Sequence, residues 1–246
     1  MNVLVGRRAL VTGGSRGIGA AIVKRLAADG AMVGFTYAAS GTAAETLRAE
    51  VSERGGAAVA IRADSADAQQ VTDAVDAAVA AFGGLDILVN NAGLSNSGVA
   101  ESFALQDFDR MLAVNVRGVF VAIQRAIPHL GAGGRIVTTG SIFADRVPHP
   151  GSAVYAMTKA ALGGLTRGLA RELGPRGITV NVIQPGPTAT DANPDVGKFA
   201  DAMRQLTAVG HYGRAEDIAS AVAYLVSPEA DFITGITWNV DGGFSA

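Results

Sequence analysis

Short apolar runs alternate with amphipathic helical segments along the whole chain, and this alternation limits the possible folds more than any other feature of the sequence. Helical segments separate successive runs of strand character, which makes each strand–helix–strand stretch a right-handed βαβ unit. The chain is therefore predicted to form a doubly wound α/β fold, a parallel sheet with helices on both faces. The predicted strands cover residues 8–12, 31–37, 57–61, 85–89, 134–139, 178–183 and 236–240.

Composition and charge predict a single domain and argue against nucleic-acid, membrane and metal binding. The 246 residues contain no low-complexity linker or charge block, which predicts a single domain over residues 1–246. A net charge of −2 offers no basic surface to nucleic acid or anionic membranes. Cysteine is absent and the three histidines are scattered, so no metal site is predicted. Without a signal peptide or an apolar run of about 18 residues, we expect a cytoplasmic protein with no membrane partner.

A glycine-rich turn connects the first predicted strand to the first predicted helix. Residues 12–19 read Thr-Gly-Gly-Ser-Arg-Gly-Ile-Gly. Glycine lets the backbone approach a ligand closely, and a helix N-terminus offers free N–H groups to a pyrophosphate. Gly19 is expected to let the helix pack closely on the sheet. The pattern indicates a dinucleotide site, and its structural alternative is a plain tight turn.

Tyr155 and Lys159 are candidates for proton transfer. They are four residues apart in the predicted helix 153–173 and so share one face. A neighbouring ammonium and an oxidised nicotinamide would lower the phenol pKa from its usual value near 10, and the phenol would protonate a carbonyl oxygen. Ser141 follows a strand at the carboxyl edge of the sheet, where its hydroxyl would polarise that carbonyl. Taken alone, Ser141 also fits a turn or cap, and Tyr155 a partly buried ring beside a surface lysine.

Five motifs resemble those of the short-chain dehydrogenase/reductase family and follow one another along the chain in the same order as in that family. The resemblance implies a seven-stranded sheet in the order 3-2-1-4-5-6-7 and an NAD(P)-dependent oxidoreductase whose catalytic residues are Asn115, Ser141, Tyr155 and Lys159. It also implies that Asn115 distorts its helix and holds a water connecting Lys159 to solvent. The motifs are the turn at 12–19, Asn90-Asn91-Ala92-Gly93, Asn115, Ser141 with Tyr155-x-x-x-Lys159, and Pro185-Gly186.

The end of the second predicted strand bears on the choice of nicotinamide cofactor. An acidic residue there would bind the ribose 2′-hydroxyl of NAD, but residues 35–40 read Phe-Thr-Tyr-Ala-Ala-Ser. Arg16 and Ser40 are expected to bind a 2′-phosphate instead, which predicts NADP(H), although NAD-using relatives also carry the arginine. The other predicted cofactor contacts are Gly13, Ser15, Gly17, Ile18, Gly19, Tyr37, Ala38, Asp64, Ser65, Asn91, Ala92, Gly93, Tyr155, Lys159, Pro185, Gly186, Thr188 and Thr190.

Three of the polar residues carry more specific expectations. Asp64 is expected to accept a hydrogen bond from the adenine amino group or, alternatively, to cap the next helix. Asn90 is expected to bond to backbone across the sheet. Thr42 is predicted to be the N-cap of a helix over residues 42–54.

The predicted substrate pocket lies between the loop after Ser141 and an irregular segment, 187–212, which we interpret as a substrate lid. Its apolar members favour a small, largely apolar ketone or ketoester. The predicted pocket residues are Ser141, Phe143, Val147, His149, Tyr155 and Pro187.

Three other functions fit parts of the sequence. The chain also resembles 3-oxoacyl-carrier-protein reductases; residues 129–134 lack the basic residues expected for carrier docking, although Arg176 is retained. Residues 35–40 and 184–194 resemble relatives proposed to bind cyclic dinucleotides, which fits a regulatory binding protein. The third is a structural oligomer subunit, against which Tyr155 and Lys159 argue. Helices predicted over 107–130 and 153–173 are apolar on more than one face, so a homotetramer is expected.

Overall fold

Seven parallel strands form the central sheet of the computed structural model, which describes residues 3–246. The first two residues of the predicted domain lie outside the described part. The strands are β1 (Arg8–Val11), β2 (Met32–Tyr37), β3 (Ala57–Arg62), β4 (Ile87–Asn90), β5 (Arg135–Thr139), β6 (Thr179–Pro185), β7 (Thr188–Ala189), β8 (Gly213–Arg214) and β9 (Thr237–Val240). The order in the sheet is β3-β2-β1-β4-β5-β6-β9, which confirms the predicted order because β7 and β8 pair only with each other.

Helices cover both faces of this sheet, as the alternation predicts. The helices are α1 (Gly17–Ala28), α2 (Gly41–Glu53), α3 (Ala68–Phe82), α4 (Leu105–Leu112), α5 (Val119–Ala126), α6 (Ala153–Leu173), α7 (Lys198–Leu206) and α8 (Ala215–Val226). One face packs against α1, α2 and α8, and the other against α3, α5 and α6. Strands β1, β4, β5 and β6 are buried almost throughout because both of their faces are covered.

The helix predicted over residues 107–130 is interrupted. A π-helical segment, Ala113–Gly118, separates α4 from α5 and contains the buried Asn115. The distortion implied at Asn115 is therefore confirmed. The continuous stretch Leu105–His129 is long and apolar enough to cross a membrane by length and composition, but its apolar face belongs to the core beneath the sheet.

Two local predictions are wrong. Thr42 does not cap α2, because the helix begins one residue earlier, at Gly41, and Ser40 occupies the N-cap position. Segment 187–212 is not irregular throughout, because it contains β7 and α7. Helix α7 folds because Ala200 and Met203 are buried in a small separate core with Ile142 and Phe244.

Candidate active site

The glycine turn lies at the carboxyl edge of the sheet, beside the end of β4. Gly13 and Gly17 adopt the left-handed conformation, with φ of 63° and 53°, which favours glycine. A Cβ on Gly19 would overlap the Gly13 carbonyl oxygen and lie 2.5 Å from Asn91 Nδ2. Gly19 therefore permits the close approach of α1 that the sequence predicts.

Two threonines that the sequence analysis did not select hold this turn in place. Thr36 Oγ1 accepts a hydrogen bond from the Gly13 N–H at 2.9 Å. Thr12 Oγ1 accepts hydrogen bonds from the backbone N–H groups of Asn91 and Ala92 at 3.0 and 3.1 Å. The hydroxyls thus connect the turn to the ends of β2 and β4. Thr12 belongs to the glycine motif itself, so its position in the sequence could have identified it as part of the site.

Asn91 makes the backbone hydrogen bonds that were expected of Asn90. Asn91 Nδ2 donates to the carbonyl oxygens of Thr12 and Gly13, at 3.2 and 3.0 Å. Asn90 is buried, and neither its Nδ2 nor its Oδ1 has a hydrogen-bond partner among residues 3–246. The prediction that Asn90 bonds to backbone is therefore wrong, because Asn91, just beyond the strand, is the one beside the turn.

The turn fits a pyrophosphate. Within residues 3–246 no side chain caps α1, and the first turn of this helix contains no acidic residue. Its first N–H groups and the positive end of its dipole are thus available to an anion. Arg16, at the N-cap position, is exposed and makes no ion pair with the described residues. Its guanidinium is free to bind a phosphate.

Further predicted cofactor residues follow the neighbouring strands along the same edge. Tyr37 and Ser40 stand at the end of β2, and Ala38 between them is exposed. Gly93 lies against the catalytic candidates, since a Cβ there would be 3.4 Å from Lys159 Nζ. Thr190 lies beside the glycine turn, with its Cγ2 3.3 Å from a Cβ placed on Gly17. The structure thus brings the ends of β2, β4 and β6 to one groove.

Asp64 has a partner that the sequence did not reveal. Arg110, from α4, reaches both carboxylate oxygens of Asp64 at 3.1 and 2.9 Å, and the Ala66 N–H donates to Oδ1. Burial raises the pKa of Asp64, but these hydrogen bonds and the Arg110 charge outweigh it and lower the pKa. The helix-cap alternative for Asp64 is wrong, because Asp67 caps α3. The adenine contact stays a prediction.

Lys159 is buried and lies behind the Tyr155 ring. Its Nζ donates to the Thr139 carbonyl oxygen at 2.9 Å and lies 5.9 Å from the centre of the Tyr155 ring. Burial lowers the pKa of Lys159 to about 8. The spacing in the sequence predicts that these two residues share one face of α6, and in the structure that face borders the groove.

Burial raises the pKa of Tyr155, and a hydrogen bond with the Ser141 hydroxyl acts in the opposite direction. The side chains alone do not produce the low phenol pKa that the sequence predicts, because burial of the phenol outweighs the Ser141 hydrogen bond. The second positive charge in that expectation is that of an oxidised nicotinamide.

Ser141 caps a short turn and keeps its hydroxyl hydrogen available. It is the N-cap of a short 3₁₀ turn, Ile142–Ala144, and its Oγ accepts a hydrogen bond from the Phe143 N–H at 3.2 Å. The alternative that Ser141 caps a turn is therefore confirmed. Because Oγ accepts this bond, the hydroxyl hydrogen is left to point toward Tyr155 or a substrate oxygen.

Asn115 connects the π-helical segment to its neighbours. Its Nδ2 donates to the Leu94 carbonyl oxygen at 2.8 Å and to Thr158 Oγ1 at 3.0 Å, and its Oδ1 accepts from the Leu94 N–H at 2.8 Å. Oδ1 also lies 3.7 Å from a Cβ placed on Gly93. Asn115 thus holds the strand end beside Lys159. The bridging water stays a prediction.

Two of the predicted pocket residues, Phe143 and His149, form a row of aromatic contacts that begins at Tyr155. The Phe143 ring meets the Tyr155 ring edge to face, with 6.0 Å between centres, and the His149 ring meets Phe143 at 5.5 Å. Val147 is 48% exposed on the same loop, and Pro187 begins segment 187–212. The sequence analysis missed Phe199, on α7, whose ring meets His149 at 5.6 Å.

The chain is similar to known proteins over nearly its full length. A family model described as enoyl-(acyl carrier protein) reductase matches residues 13–245. A short-chain dehydrogenase/reductase structure from Serratia marcescens is 60% identical, covers 99% of each chain and has a TM-score of 0.98. A short-chain dehydrogenase from Burkholderia cenocepacia in complex with NADP is 56% identical, with 99% of each chain covered and a TM-score of 0.97. A cyclic-di-GMP-binding biofilm dispersal mediator protein of Escherichia coli is 46% identical over the whole of both chains.

Proposed function

The chain belongs to the short-chain dehydrogenase/reductase family, and from that premise we propose that it is an NADPH-dependent reductase of small, largely apolar ketones or ketoesters. The observation that carries this proposal is the cluster of Tyr155, Lys159 and Ser141 beside the glycine turn. A protein that only bound nucleotides would not require a buried ammonium behind a phenol.

The cofactor is held by the groove along the carboxyl edge. The glycine turn and the N-terminus of α1 bind the pyrophosphate, and Arg16 and Ser40 bind the 2′-phosphate. The related structure with NADP supports this choice. Lys159 would hold the nicotinamide ribose, Pro185 and Gly186 would turn the chain beneath the nicotinamide, and Thr188 and Thr190 would bind its carboxamide.

In this mechanism the reduced nicotinamide, when bound, supplies a hydride to the carbonyl carbon. The Tyr155 phenol gives its proton to the carbonyl oxygen, so the product is an alcohol and the phenol becomes a phenolate. The Ser141 hydroxyl donates a hydrogen bond to the same oxygen and stabilises the charge that develops there. Lys159, with a pKa of about 8, exchanges protons near neutral pH: it returns a proton to the phenolate, and a water held by Asn115 connects Lys159 to solvent.

The substrate binds between the wall of Phe143, Val147 and Pro187 and segment 187–212, which acts as its lid. This wall is apolar, which favours a small apolar ketone. We further propose that the protein is soluble, cytoplasmic and a homotetramer.

The decisive experiment follows NADPH absorbance over a panel of ketones with the wild-type protein and with Tyr155→Phe. Loss of the phenolic proton should lower kcat by about 10² or more. Tyr224→Phe is the matched control, because Tyr224 lies on α8, away from the groove. Unchanged turnover by Tyr155→Phe would refute the role of Tyr155.

Two second candidates have specific support. The E. coli relative favours cyclic dinucleotide binding, and the family model's description favours a carrier-bound substrate. Calorimetry with cyclic di-GMP tests the first, and turnover of an acyl-carrier-protein thioester against the free thioester tests the second. Binding of cyclic di-GMP without ketone turnover would replace the reductase proposal.

A further inference from the structure

The His149 ring is fixed in one tautomer by the backbone. Its Nδ1 lies 3.0 Å from the Pro150 carbonyl oxygen and 3.5 Å from Ser152 Oγ. Because a carbonyl oxygen only accepts hydrogen bonds, Nδ1 carries the hydrogen, and the neutral ring presents a lone pair at Nε2. This Nε2 is buried and has no hydrogen-bond partner within residues 3–246.

A row of edge-to-face rings connects His149 to the proton donor and to the lid. We call it the aromatic row; it runs from Tyr155 through Phe143 and His149 to Phe199, with ring centres 6.0, 5.5 and 5.6 Å apart. The contacts hold the His149 ring on both sides. The unpartnered nitrogen therefore belongs to the same pocket wall as the phenol.

A buried acceptor without a partner destabilises the site until a donor reaches it. The neighbouring Phe199 ring offers Nε2 no hydrogen, and it is 54% exposed on α7. A substrate that enters beneath α7 and moves this ring outward would reach Nε2. A donor on that substrate would then recover the missing hydrogen bond.

We propose that His149 determines specificity by accepting, at Nε2, a hydrogen bond from a hydroxyl group of the substrate. This inference rests on the proposed reductase function and narrows its substrate class to hydroxyketones. The ketone oxygen faces Tyr155 and Ser141, and the hydroxyl reaches His149, two rings along the aromatic row from Tyr155. A site with a buried unpaired acceptor discriminates strongly against analogues that lack the donor.

The test compares hydroxy methyl ketones of increasing chain length with their own methyl ethers, using NADPH and the intact protein. For the best chain length, wild-type kcat/KM should favour the hydroxyketone over its ether by tenfold or more. His149→Asn and His149→Phe remove the acceptor and should bring this ratio close to 1. His149→Gln, whose amide oxygen reaches the position of Nε2, should keep most of the preference.

The ratio is measured on one enzyme sample at a time, so partial loss of folded protein cancels. His149→Phe retains the ring contacts with Phe143 and Phe199 and serves if the asparagine variant does not fold. Two results would overturn the inference and leave the reductase function intact. One is equal turnover of hydroxyketone and ether by the wild type, and the other is a kcat/KM ratio that is unchanged in both acceptor-free variants. Absence of turnover with every ketone would instead contradict the reductase function and, with it, this inference.

Discussion

At the residue scale, Lys159 is the most costly charge in the site. Its ammonium is buried and is bonded to a backbone carbonyl rather than to a carboxylate. A pKa lowered from 10.5 to about 8 corresponds to roughly 3 kcal/mol against the charged form. Between pH 8 and 10.5 the unfolded chain binds a proton that the folded chain does not, so this group makes the free energy of unfolding rise with pH across that window.

Lys159→Met should therefore raise the free energy of unfolding at pH 7 by about 1–3 kcal/mol while abolishing ketone reduction. The gain should shrink as the pH rises from 8 to 10.5, because the wild-type lysine becomes neutral. Urea denaturation at pH 7 and pH 10 measures both effects. Lys24→Met is the control, since Lys24 is exposed and paired with Glu50. A lower free energy of unfolding for Lys159→Met than for the wild type at pH 7 would contradict this explanation.

Arg16 differs from the buried Lys159, because its charge is exposed and makes no ion pair with the described residues. Arg16→Ala should leave the midpoint of thermal unfolding unchanged within about 2 °C, since surface substitutions of this kind usually change stability by less than 0.5 kcal/mol. It should raise KM for NADPH by tenfold or more and KM for NADH far less, because only the former carries the 2′-phosphate. Steady-state kinetics with both cofactors measures the difference. Arg48→Ala on α2 is the control, and equal effects of Arg16→Ala on both cofactors would refute the assignment.

At the scale of elements, the position of α1 depends on a single missing methyl group. Gly19 packs against the Gly13 carbonyl and the Asn91 amide, and that amide makes the two hydrogen bonds that hold the turn. A larger residue would push α1 outward and break this arrangement, because close-packed backbone has no room to yield.

Gly19→Ala should accordingly weaken NADPH binding by tenfold or more and lower stability by about 1–3 kcal/mol. Fluorescence titration with NADPH and thermal unfolding measure the two quantities. Gly131→Ala is the matched control, because a Cβ there meets nothing within 4 Å. If the two variants bind NADPH equally well, the close approach at Gly19 does not determine the phosphate site.

At the scale of the whole molecule, one chain leaves apolar side chains uncovered outside the groove. Phe120 on α5 and Met157 on α6 are each 44% exposed, and Leu105 on α4 is 77% exposed. They lie on or beside the two helices whose apolar character in the sequence predicts a homotetramer.

Phe120→Glu should therefore convert a tetramer into dimers or monomers, because a buried carboxylate at an interface would have no partner. Size-exclusion chromatography with light scattering measures the mass. Val5→Glu, at a site that is 69% exposed near β1, is the control and should remain tetrameric. A wild-type monomer would contradict the oligomer prediction without affecting the chemistry of the groove.

The sequence by itself determined the alternation of strands and helices, the glycine turn and the shared face of Tyr155 and Lys159, because each follows from local periodicity or spacing. Helices α1, α6 and α8 begin and end where the pattern predicts, whereas the strand order and the helix distortion at Asn115 were predicted only through the family resemblance. The tertiary structure alone decided the pairing of Asn115 with Leu94, the pairing of Arg110 with Asp64 and the contact of Phe199 with His149. These depend on partners 21 to 50 positions away in the chain, and only the folded packing determines which distant groups satisfy a buried polar atom or ring.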